Sequence, residues 1–365
     1  MNENYMDLAI DLAKKGIGKV NPNPLVGAVI VKNGKIIAQG YHEYYGGPHA
    51  EVNAVKNSTE ILEGSTIYVT LEPCYHYGKT PPCVDLIIKN KFQKVVIGML
   101  DPNPLVAGKS IEKLQENGIE VVVGIREKEC KELNEIFIKY ITSKLPFVVL
   151  KSATSLDGKI ATSIGESKWI TSEAARKDGH ILRKKLSAIM VGVNTIINDD
   201  PNLTCRIDNG RNPVRIILDS KLRIPINSKV IKNKDAVTIV ATTRYADQIK
   251  MQQLLKEEIK VIKVKDKNKK VDLKDLMIEL GKIQIDSILV EGGGKINFSS
   301  LQQGIVDKVR FYIAPKIIGG VNSKGSIGGE GFRKLSDAVN LKNLTYKNIG
   351  DEIVIEGYIK NSNKK

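Results

Sequence analysis

Short apolar runs of strand character alternate with helical periodicities in two separate series, and this alternation restricts the chain to a layered α/β architecture. In the first series Met6, Ala9, Ile10 and Ala13 recur at i, i+3, i+4 and i+7, one face of an opening helix. Apolar runs at 25–31 and 35–40 are joined by Asn33-Gly34, the strongest short hairpin signal. A helical stretch at 49–56 leads to a strand at 65–71. Beyond a Pro- and Gly-rich loop, a helix is predicted at 83–89 and a strand at 94–99. Helices at 110–117 and 127–141 flank a last strand at 119–123.

Ser143-Lys144-Leu145-Pro146 closes this series, and a β-rich series starts at Phe147. The boundary is therefore placed near residue 145, and 365 residues suffice for two domains with separate cores. The second series reads as strand 147–151, helix 172–186, strands 188–193, 214–219 and 237–241, helix 246–258, strand 261–264, helix 273–282 and strand 287–290. Later β segments run to about 359, and 361–365 reads as a frayed tail. No apolar run reaches the length of a membrane span. Met1-Asn2-Glu3-Asn4-Tyr5 lacks the basic-then-apolar pattern of a secretory signal, so a soluble cytoplasmic protein is expected.

The net charge of +15 invites a nucleic-acid reading, which its makeup weakens. Only 10 of the 56 basic residues are arginine, and aromatics are 5%. Nucleic-acid faces concentrate arginine and aromatic side chains. The lysines here are interleaved with acids, densest over 260–270, and read as a solvated surface; a positive field also suits phosphate-bearing substrates. The four cysteines, at 74, 83, 130 and 205, suit metal binding or free thiols better than a disulfide framework.

His49-Ala50-Glu51 precedes Pro73-Cys74 and Pro82-Cys83. One His and two Cys give Zn²⁺ three protein ligands and leave a fourth position for water, the arrangement of a catalytic rather than a closed site. A zinc site of this kind acidifies water, and Glu51 is placed to carry the proton to a departing amine. This is the H-x-E…P-C…C signature of zinc nucleobase deaminases, with eight residues between the cysteines instead of two. A closed structural site would need a fourth ligand, His76 or His42, and would have no use for Glu51. His180 reads as a polar or packing residue, and Cys130 and Cys205 as plain thiols. Gly78-Lys79-Thr80 and Gly108-Lys109-Ser110 lack the earlier glycine of a phosphate loop. Pro22-Asn23-Pro24-Leu25-Val26 recurs as Pro102-Asn103-Pro104-Leu105-Val106, either as two similar turns facing one pocket or by coincidence.

The runs Asn21–Val29, Gly47-Pro48-His49-Ala50-Glu51 and Thr70-Leu71-Glu72-Pro73-Cys74, with Gly78-Lys79-Thr80-Pro81-Pro82-Cys83, resemble the riboflavin-biosynthesis deaminases of the RibD/RibG family. The long insert before Cys83 is that family's form of the second zinc motif. The resemblance implies that Asn23, Lys79, Asp101 and Asn103 contact the pyrimidine or its ribosyl phosphate.

In the second half, strand 287–290 is followed by Glu291-Gly292-Gly293-Gly294-Lys295, a turn that lets backbone amides approach a phosphate. Asn297 stands where the third glycine of a dinucleotide fingerprint belongs, so a Rossmann domain is not indicated. Ala153–Ala161, Ser167-Lys168-Trp169-Ile170, Gly192-Val193-Asn194-Thr195 and Leu218-Asp219-Ser220 resemble the reductase half of the same bifunctional family. That resemblance implies a fold like dihydrofolate reductase that uses NADPH. Ala153, Trp169, Thr195, Asp199, Ser220 and the Gly293–Gly294 turn would hold NADPH. Ser167, Arg183, Leu203, Arg206 and Glu291 would hold the ribosyl-phosphate substrate. Arg183 and Arg206 are suitable forks for a phosphate. Lys151 and Glu291 are the titratable candidates beside the transferred hydride.

The expected molecule is thus α/β throughout. A three-layer, cytidine-deaminase-like zinc domain (1–145) precedes a dihydrofolate-reductase-like NADPH domain (146–361). The expected activity is deamination of 2,5-diamino-6-(5-phosphoribosylamino)pyrimidin-4(3H)-one, then reduction of the ribosyl group of 5-amino-6-(5-phosphoribosylamino)uracil. Its partners are small phosphoribosyl pyrimidines, with no nucleic acid or membrane, and a homo-oligomer, dimer or tetramer, is expected by resemblance. One alternative is a nucleic-acid adenosine or cytidine deaminase with a basic accessory domain; another is a zinc-stabilised scaffold without turnover.

Overall fold

Asn33 and Gly34 adopt φ values of 49° and 76°, the left-handed pair a two-residue hairpin needs between right-twisted strands. In the computed structural model, which describes residues 3–75, 81–103 and 107–360, this turn joins β1 (Gly27–Lys32) to antiparallel β2 (Lys35–Tyr41). The chain divides into two units, Met1–Lys144 and Leu145–Lys365.

The first unit is one sheet of order β2-β1-β3-β4-β5, with β3 (Thr66–Leu71), β4 (Lys94–Met99) and β5 (Glu120–Val123) mutually parallel. Helices α1 (Asn4–Lys14) and α2 (Ala50–Lys56) lie on opposite faces. A Cβ on Gly27 would overlap the Ala9 carbonyl of α1, and one on Gly40 would overlap the Ala54 amide of α2. Gly40 pairs with Ala28, the neighbour of Gly27, so the two glycines point to opposite sides of the pleat. Both helices rest directly on strand backbone. Helix α3 (Cys83–Lys89) follows the loop after β3, and α4 (Lys109–Glu116) precedes β5. Consecutive strand residues such as Ala28–Val31 and Val95–Ile97 are buried, because both faces of the sheet are covered, and one stripe of α1 joins this core.

The helix predicted over 127–141 is two helices, α5 (Glu127–Leu133) and α6 (Glu135–Ser143). The break falls at Asn134 (φ −103°, ψ 20°), which is only 2% exposed. Its Oδ1 accepts from the Leu25 amide at 2.8 Å and its Nδ2 donates to the Leu25 carbonyl at 3.0 Å. The side chain therefore pairs with Leu25 as a strand would, and β1 starts at Gly27 rather than at 25. The apolar period continues through the junction, so periodicity could not reveal the break.

The second unit is built on a nine-stranded sheet of order β11-β10-β9-β8-β14-β6-β15-β18-β17. From β11 (Lys260–Lys263) through β10 (Thr238–Thr242), β9 (Val214–Leu218), β8 (Ala188–Gly192), β14 (Ser287–Val290) and β6 (Phe147–Ser155) to β15 (Lys308–Ala314) all neighbours are parallel. The pairs β15–β18 (Glu352–Ile359) and β18–β17 (Leu341–Ile349) are antiparallel. Alternate residues feed two clusters: Ile216 and Leu218 enter one, Ile217 the other. Both faces of the parallel part are thus covered, as parallel sheets require.

Helices α7 (Glu173–Lys185), α8 (Val193–Asp199), α9 (Lys229–Lys232), α10 (Gln248–Lys256), α11 (Leu273–Lys282) and α12 (Gly294–Gln302) connect these strands. Ser172, Asp247 and Asp272 cap α7, α10 and α11 with side-chain hydrogen bonds. Two small ribbons complete the unit: β7 (Lys159–Ala161) with β16 (Lys324–Gly325), and β12 (Asp266–Lys267) with β13 (Lys270–Val271). The strand predicted over 147–151 continues to Ser155, because β15 pairs with it from Val149 to Ser155. Helix α8 and the β12–β13 ribbon carry no sequence signal strong enough to predict them.

Asn134→Ala strips both partners from the Leu25 backbone and is expected to cost about 1–3 kcal/mol. Urea unfolding of the variant and parent measures this; unchanged stability would contradict the pairing.

Candidate active sites

In the first unit, His49 is the residue immediately before α2, in an extended conformation (φ −69°, ψ 163°), and Glu51 lies in the first helical turn. Cys74 follows β3, and Cys83 opens α3 directly after Pro82. The His49 Nδ1 lies 3.5 Å from the Cys74 Sγ and 3.3 Å from the Cys83 Sγ. Bonds of typical zinc length at the tetrahedral angle place a nitrogen and a sulfur about 3.6 Å apart. The three donor atoms, all within 4.8 Å of one another, therefore fit three corners of one tetrahedral zinc. The Cys83 amide donates to the Cys74 sulfur at 3.2 Å. Hydrogen bonds from Cys83 and His49 hold the Cys74 thiol well below its ordinary range, and bonding to Cys74 raises His49 to about 9. Glu51 is 3% exposed, and burial raises its carboxyl to about 6.

His42, the alternative fourth ligand of a closed site, and Glu72, which the sequence did not single out, organise the surroundings. Burial lowers the pKa of His42, so the ring is neutral. Its Nδ1 donates to the Pro48 carbonyl at 2.9 Å, so its Nε2 accepts from the Asn23 Nδ2 at 3.1 Å. That fixes the Asn23 amide with its oxygen turned away from His42. Glu72, buried beside the cysteine loop, accepts from the Asp101 and Gly108 amides at 3.2 and 3.0 Å. Ser110 donates to the Pro73 carbonyl at 2.6 Å, and Asp101 accepts from the Asn103 amide at 2.8 Å. The segment bearing Asp101 and Asn103 is thereby tied to the strand end that carries Cys74. Lys79, His76 and Pro104-Leu105-Val106 lie outside the described residues. Burial pushes the Cys130 thiol up to about 12, which suits a plain packing thiol.

In the second unit, a cavity of about 1220 Å³ opens beyond the carboxyl ends of β8 and β9. Ser167, Thr195, Asp199, Ser220, Gly293 and Gly294 all line it. Gly293 precedes α12, and a Cβ there would meet nothing within 4 Å. Gly294 has no such room: its Cβ would press on the Gly325 carbonyl at 2.5 Å. The amino end of a nine-residue helix thus faces the cavity with no side chain in the way, which fits the pyrophosphate of a dinucleotide.

Glu291, just past β14, takes a two-bond fork from Arg183, with Nε and Nη2 each at 2.9 Å. The Lys151 ammonium is 4.0 Å from Glu291 and 5.4 Å from the centre of the Tyr312 ring. Burial would raise the Glu291 carboxyl, but Arg183 and Lys151 outweigh it and hold the group at about 2. The third nitrogen of Arg183 donates to the Thr204 carbonyl at 2.8 Å. Its fork is therefore spent on a carboxylate, against the expectation that it meets a phosphate. Arg206 instead donates from Nε to the His180 ring at 3.2 Å. Burial, then Arg183 and Arg206, lower His180 to about 4, so this ring is a neutral acceptor. Leu203 is buried in the core, so only its backbone can meet a ligand. Ala153 stands opposite Tyr312 on β15. Trp169 is 60% exposed with the Arg176 guanidinium 4.3 Å above its ring, so core packing does not explain it.

The family described as the RibD C-terminal domain matches residues 146–355, and the cytidine and deoxycytidylate deaminase zinc-binding region matches 1–99. The riboflavin biosynthesis protein RibD of Actinobacillus pleuropneumoniae is 51% identical over 96% of this chain and 94% of its own. The chain belongs to the RibD family. The RibD protein of Aquifex aeolicus is 46% identical, covering 97% of this chain and 98% of that one. Among solved structures, the Thermotoga maritima diaminohydroxyphosphoribosylaminopyrimidine deaminase/5-amino-6-(5-phosphoribosylamino)uracil reductase superposes with a TM-score of 0.86 at 41% identity, covering 98% of both chains. Acinetobacter baumannii RibD gives 0.88 at 36%, also covering 98% of both. Membership in the RibD family accounts for both architectures and fits Zn²⁺ and NADPH as cofactors. It does not favour a nucleic-acid deaminase. No helix among the described residues is long and apolar enough to cross a membrane.

Glu291 titrates lower in the folded chain (about 2) than its ordinary 4.5. Its stabilising contribution is therefore complete above about pH 4.5 and is lost as the pH falls towards 2. Glu291→Gln should flatten the acid limb of a stability curve measured by urea unfolding between pH 5 and 2.5; an unchanged limb would contradict this assignment.

Proposed function

We propose that the two units are the two active sites of one bifunctional riboflavin-biosynthesis enzyme. Residues 1–145 hydrolytically remove the 2-amino group of 2,5-diamino-6-(5-phosphoribosylamino)pyrimidin-4(3H)-one. Residues 146–361 reduce the ribosyl group of 5-amino-6-(5-phosphoribosylamino)uracil to ribityl. The observation that carries the reading is the buried Glu51, two residues past His49, beside the convergent His49, Cys74 and Cys83. An acid with a raised pKa beside three zinc donors serves proton transfer, which a closed structural site does not need.

His49, Cys74 and Cys83 hold the zinc, which when bound supplies the Lewis acidity that makes water nucleophilic near neutral pH. Glu51 takes a proton on its carboxylate and releases it to the departing amino group. Asn23, oriented by His42, offers its amide oxygen to an N–H of the pyrimidine. Asp101 and Asn103, on the segment held by Glu72, and Lys79 complete the contacts to the base and its phosphoribosyl group.

In the second unit NADPH, when bound, supplies the hydride that goes to C1 of the opened ribose. Ala153, Trp169, Thr195, Asp199, Ser220, Gly293 and Gly294 hold the cofactor. Ser167, Leu203, Arg206 and the Lys151–Glu291–Arg183 group hold the substrate. Glu291, held at about 2, is ionised at neutral pH and is a fixed negative charge beside the Lys151 ammonium, 4.0 Å away. Arg206, whose guanidinium contacts only the neutral His180 ring among the described residues, is the phosphate ligand, and Arg183 orients Glu291. The same reading makes the protein cytoplasmic and homo-oligomeric, with no nucleic-acid partner. Support for assembly comes from β17, an edge strand that leaves Leu344 and Tyr346 exposed.

Glu51→Gln should keep its zinc, measured by metal analysis, while ammonia release falls about 10²–10⁴-fold. Retained deamination would overturn the role of Glu51. Arg206→Ala should raise the KM for the phosphorylated uracil substrate and leave NADPH affinity unchanged. Equal losses for both would move the phosphate site elsewhere.

A further inference from the structure

The second unit buries an ionic cluster that has no part in the two sites as described. At its centre is Tyr312 of β15, 1% exposed. The Tyr312 hydroxyl donates to the Asp178 carboxylate at 2.6 Å and accepts from the Arg310 Nε at 2.9 Å. Arg310 also donates to Asp178 through Nη2 and to Glu356 of β18 through Nη1. Lys347, from the edge strand β17, reaches the other oxygen of Asp178 at 3.0 Å. Burial and the bond to Asp178 raise the pKa of the phenol, so the hydroxyl keeps the proton it donates. Side chains from α7, β15, β18 and β17 thus converge around one ring.

Strand register ties this cluster to Lys151. Arg310 pairs with Lys151 and Tyr312 with Ala153, so these four side chains leave the same face of β15 and β6. Two cations opposite each other on neighbouring strands repel. Asp178 and Glu356 hold the guanidinium. The Lys151 ammonium lies 5.4 Å from the centre of the Tyr312 ring and 4.0 Å from Glu291. A cation within about 6 Å of a ring centre is attracted by the electron-rich face. Gly179, next to Asp178 on α7, borders the lysine stem: a Cβ there would touch Cε at 3.8 Å and Nζ at 3.9 Å. The end of Lys151 is therefore bounded by a carboxylate, an aromatic ring and helix backbone.

Charges are costly to bury, and an apolar set of the same volume is often at least as stable. What this cluster provides is a single orientation of one ring, fixed at its hydroxyl by a donor and an acceptor. We infer that Tyr312 is a positioning residue for the reduction: its ring, clamped by Asp178 and Arg310, is the seat that holds the Lys151 ammonium against the opened ribose. This rests on the reading of Lys151 as a substrate-binding group beside the transferred hydride. Lysine carries its charge on a flexible four-carbon stem and has no fixed direction of its own. Without the ring face, repulsion from Arg310 is unopposed on that side, and the ammonium loses its single position.

The test follows NADPH oxidation by the full-length enzyme with saturating phosphorylated uracil substrate. Tyr312→Phe keeps the ring and loses the hydroxyl; Tyr312→Leu loses both. The two variants give up the same hydrogen bonds, so a merely structural role lowers kcat by similar factors in each. A positioning ring separates them. The kcat should fall about threefold in Tyr312→Phe, whose ring is unclamped, and about thirtyfold or more in Tyr312→Leu. NADPH affinity, read by nicotinamide fluorescence, and ammonia release by the first unit should stay within about twofold of the parent in both. Equal falls in kcat, or none in Tyr312→Leu, would overturn the inference. If Tyr312→Leu fails to fold, replacement of Tyr312 by trifluorophenylalanine keeps the shape of the ring and strips electron density from its face. A kcat about tenfold below that of Tyr312→Phe then supports the seat, and a kcat equal to it overturns the seat. Lys151→Met separates the two levels of inference and should abolish reduction while NADPH still binds. If it reduces at the parent rate, the reading of Lys151 falls and the seat with it. If it does not reduce but Tyr312→Leu does so at the parent rate, only the seat falls.

Discussion

Glu51 and its three donor neighbours depend on one close approach, that of α2 to β2 at Gly40. A side chain at position 40 would push the helix off the sheet. With the helix seated, His49 must leave the extended chain at the first helical turn, and Glu51 is carried into the protein interior two residues later. The cysteines arrive independently, one from the end of a central strand and one from the start of α3. Four residues from three parts of the chain meet only if the sheet fixes all three. The chemistry of the first unit is thus a consequence of sheet packing rather than of loop shape, which is how a site is held to the tolerance that catalysis demands.

The two units use a buried carboxylate in opposite ways. Burial pushes Glu51 up to about 6, whereas Arg183 and Lys151 hold Glu291 down at about 2 despite its burial. The first group can exchange a proton near neutral pH. The second is a fixed negative charge that orients cations around it. Environment, not residue type, separates the two roles.

Much of this was legible in the sequence, for identifiable reasons. Helical periods and short apolar runs come from burial, so α3, α11, β4 and β14 were readable within a residue or so at each end. His49, Cys74 and Cys83 were readable because a metal restricts residue types more tightly than packing does. What escaped was whatever depends on a partner far along the chain. Asn134 breaks a helix to pair with Leu25, a partner 109 residues away. Glu72 and His42 look like ordinary polar residues until their neighbours are known. Arg183 reads as a phosphate fork until Glu291 is seen to fill it. The β12–β13 ribbon escaped because so short a pair of strands leaves almost no periodic trace.

The account stands on a metal held by one imidazole nitrogen and two thiolate sulfurs, with one corner left to solvent. X-ray absorption at the zinc edge of the full-length protein reads that arrangement directly. The account predicts one zinc per chain, with two sulfurs at about 2.3 Å and two nitrogen or oxygen neighbours at about 2.0–2.1 Å, one of which exchanges with added anions. A shell of three or more sulfurs, or four protein ligands that no added anion displaces, would contradict it.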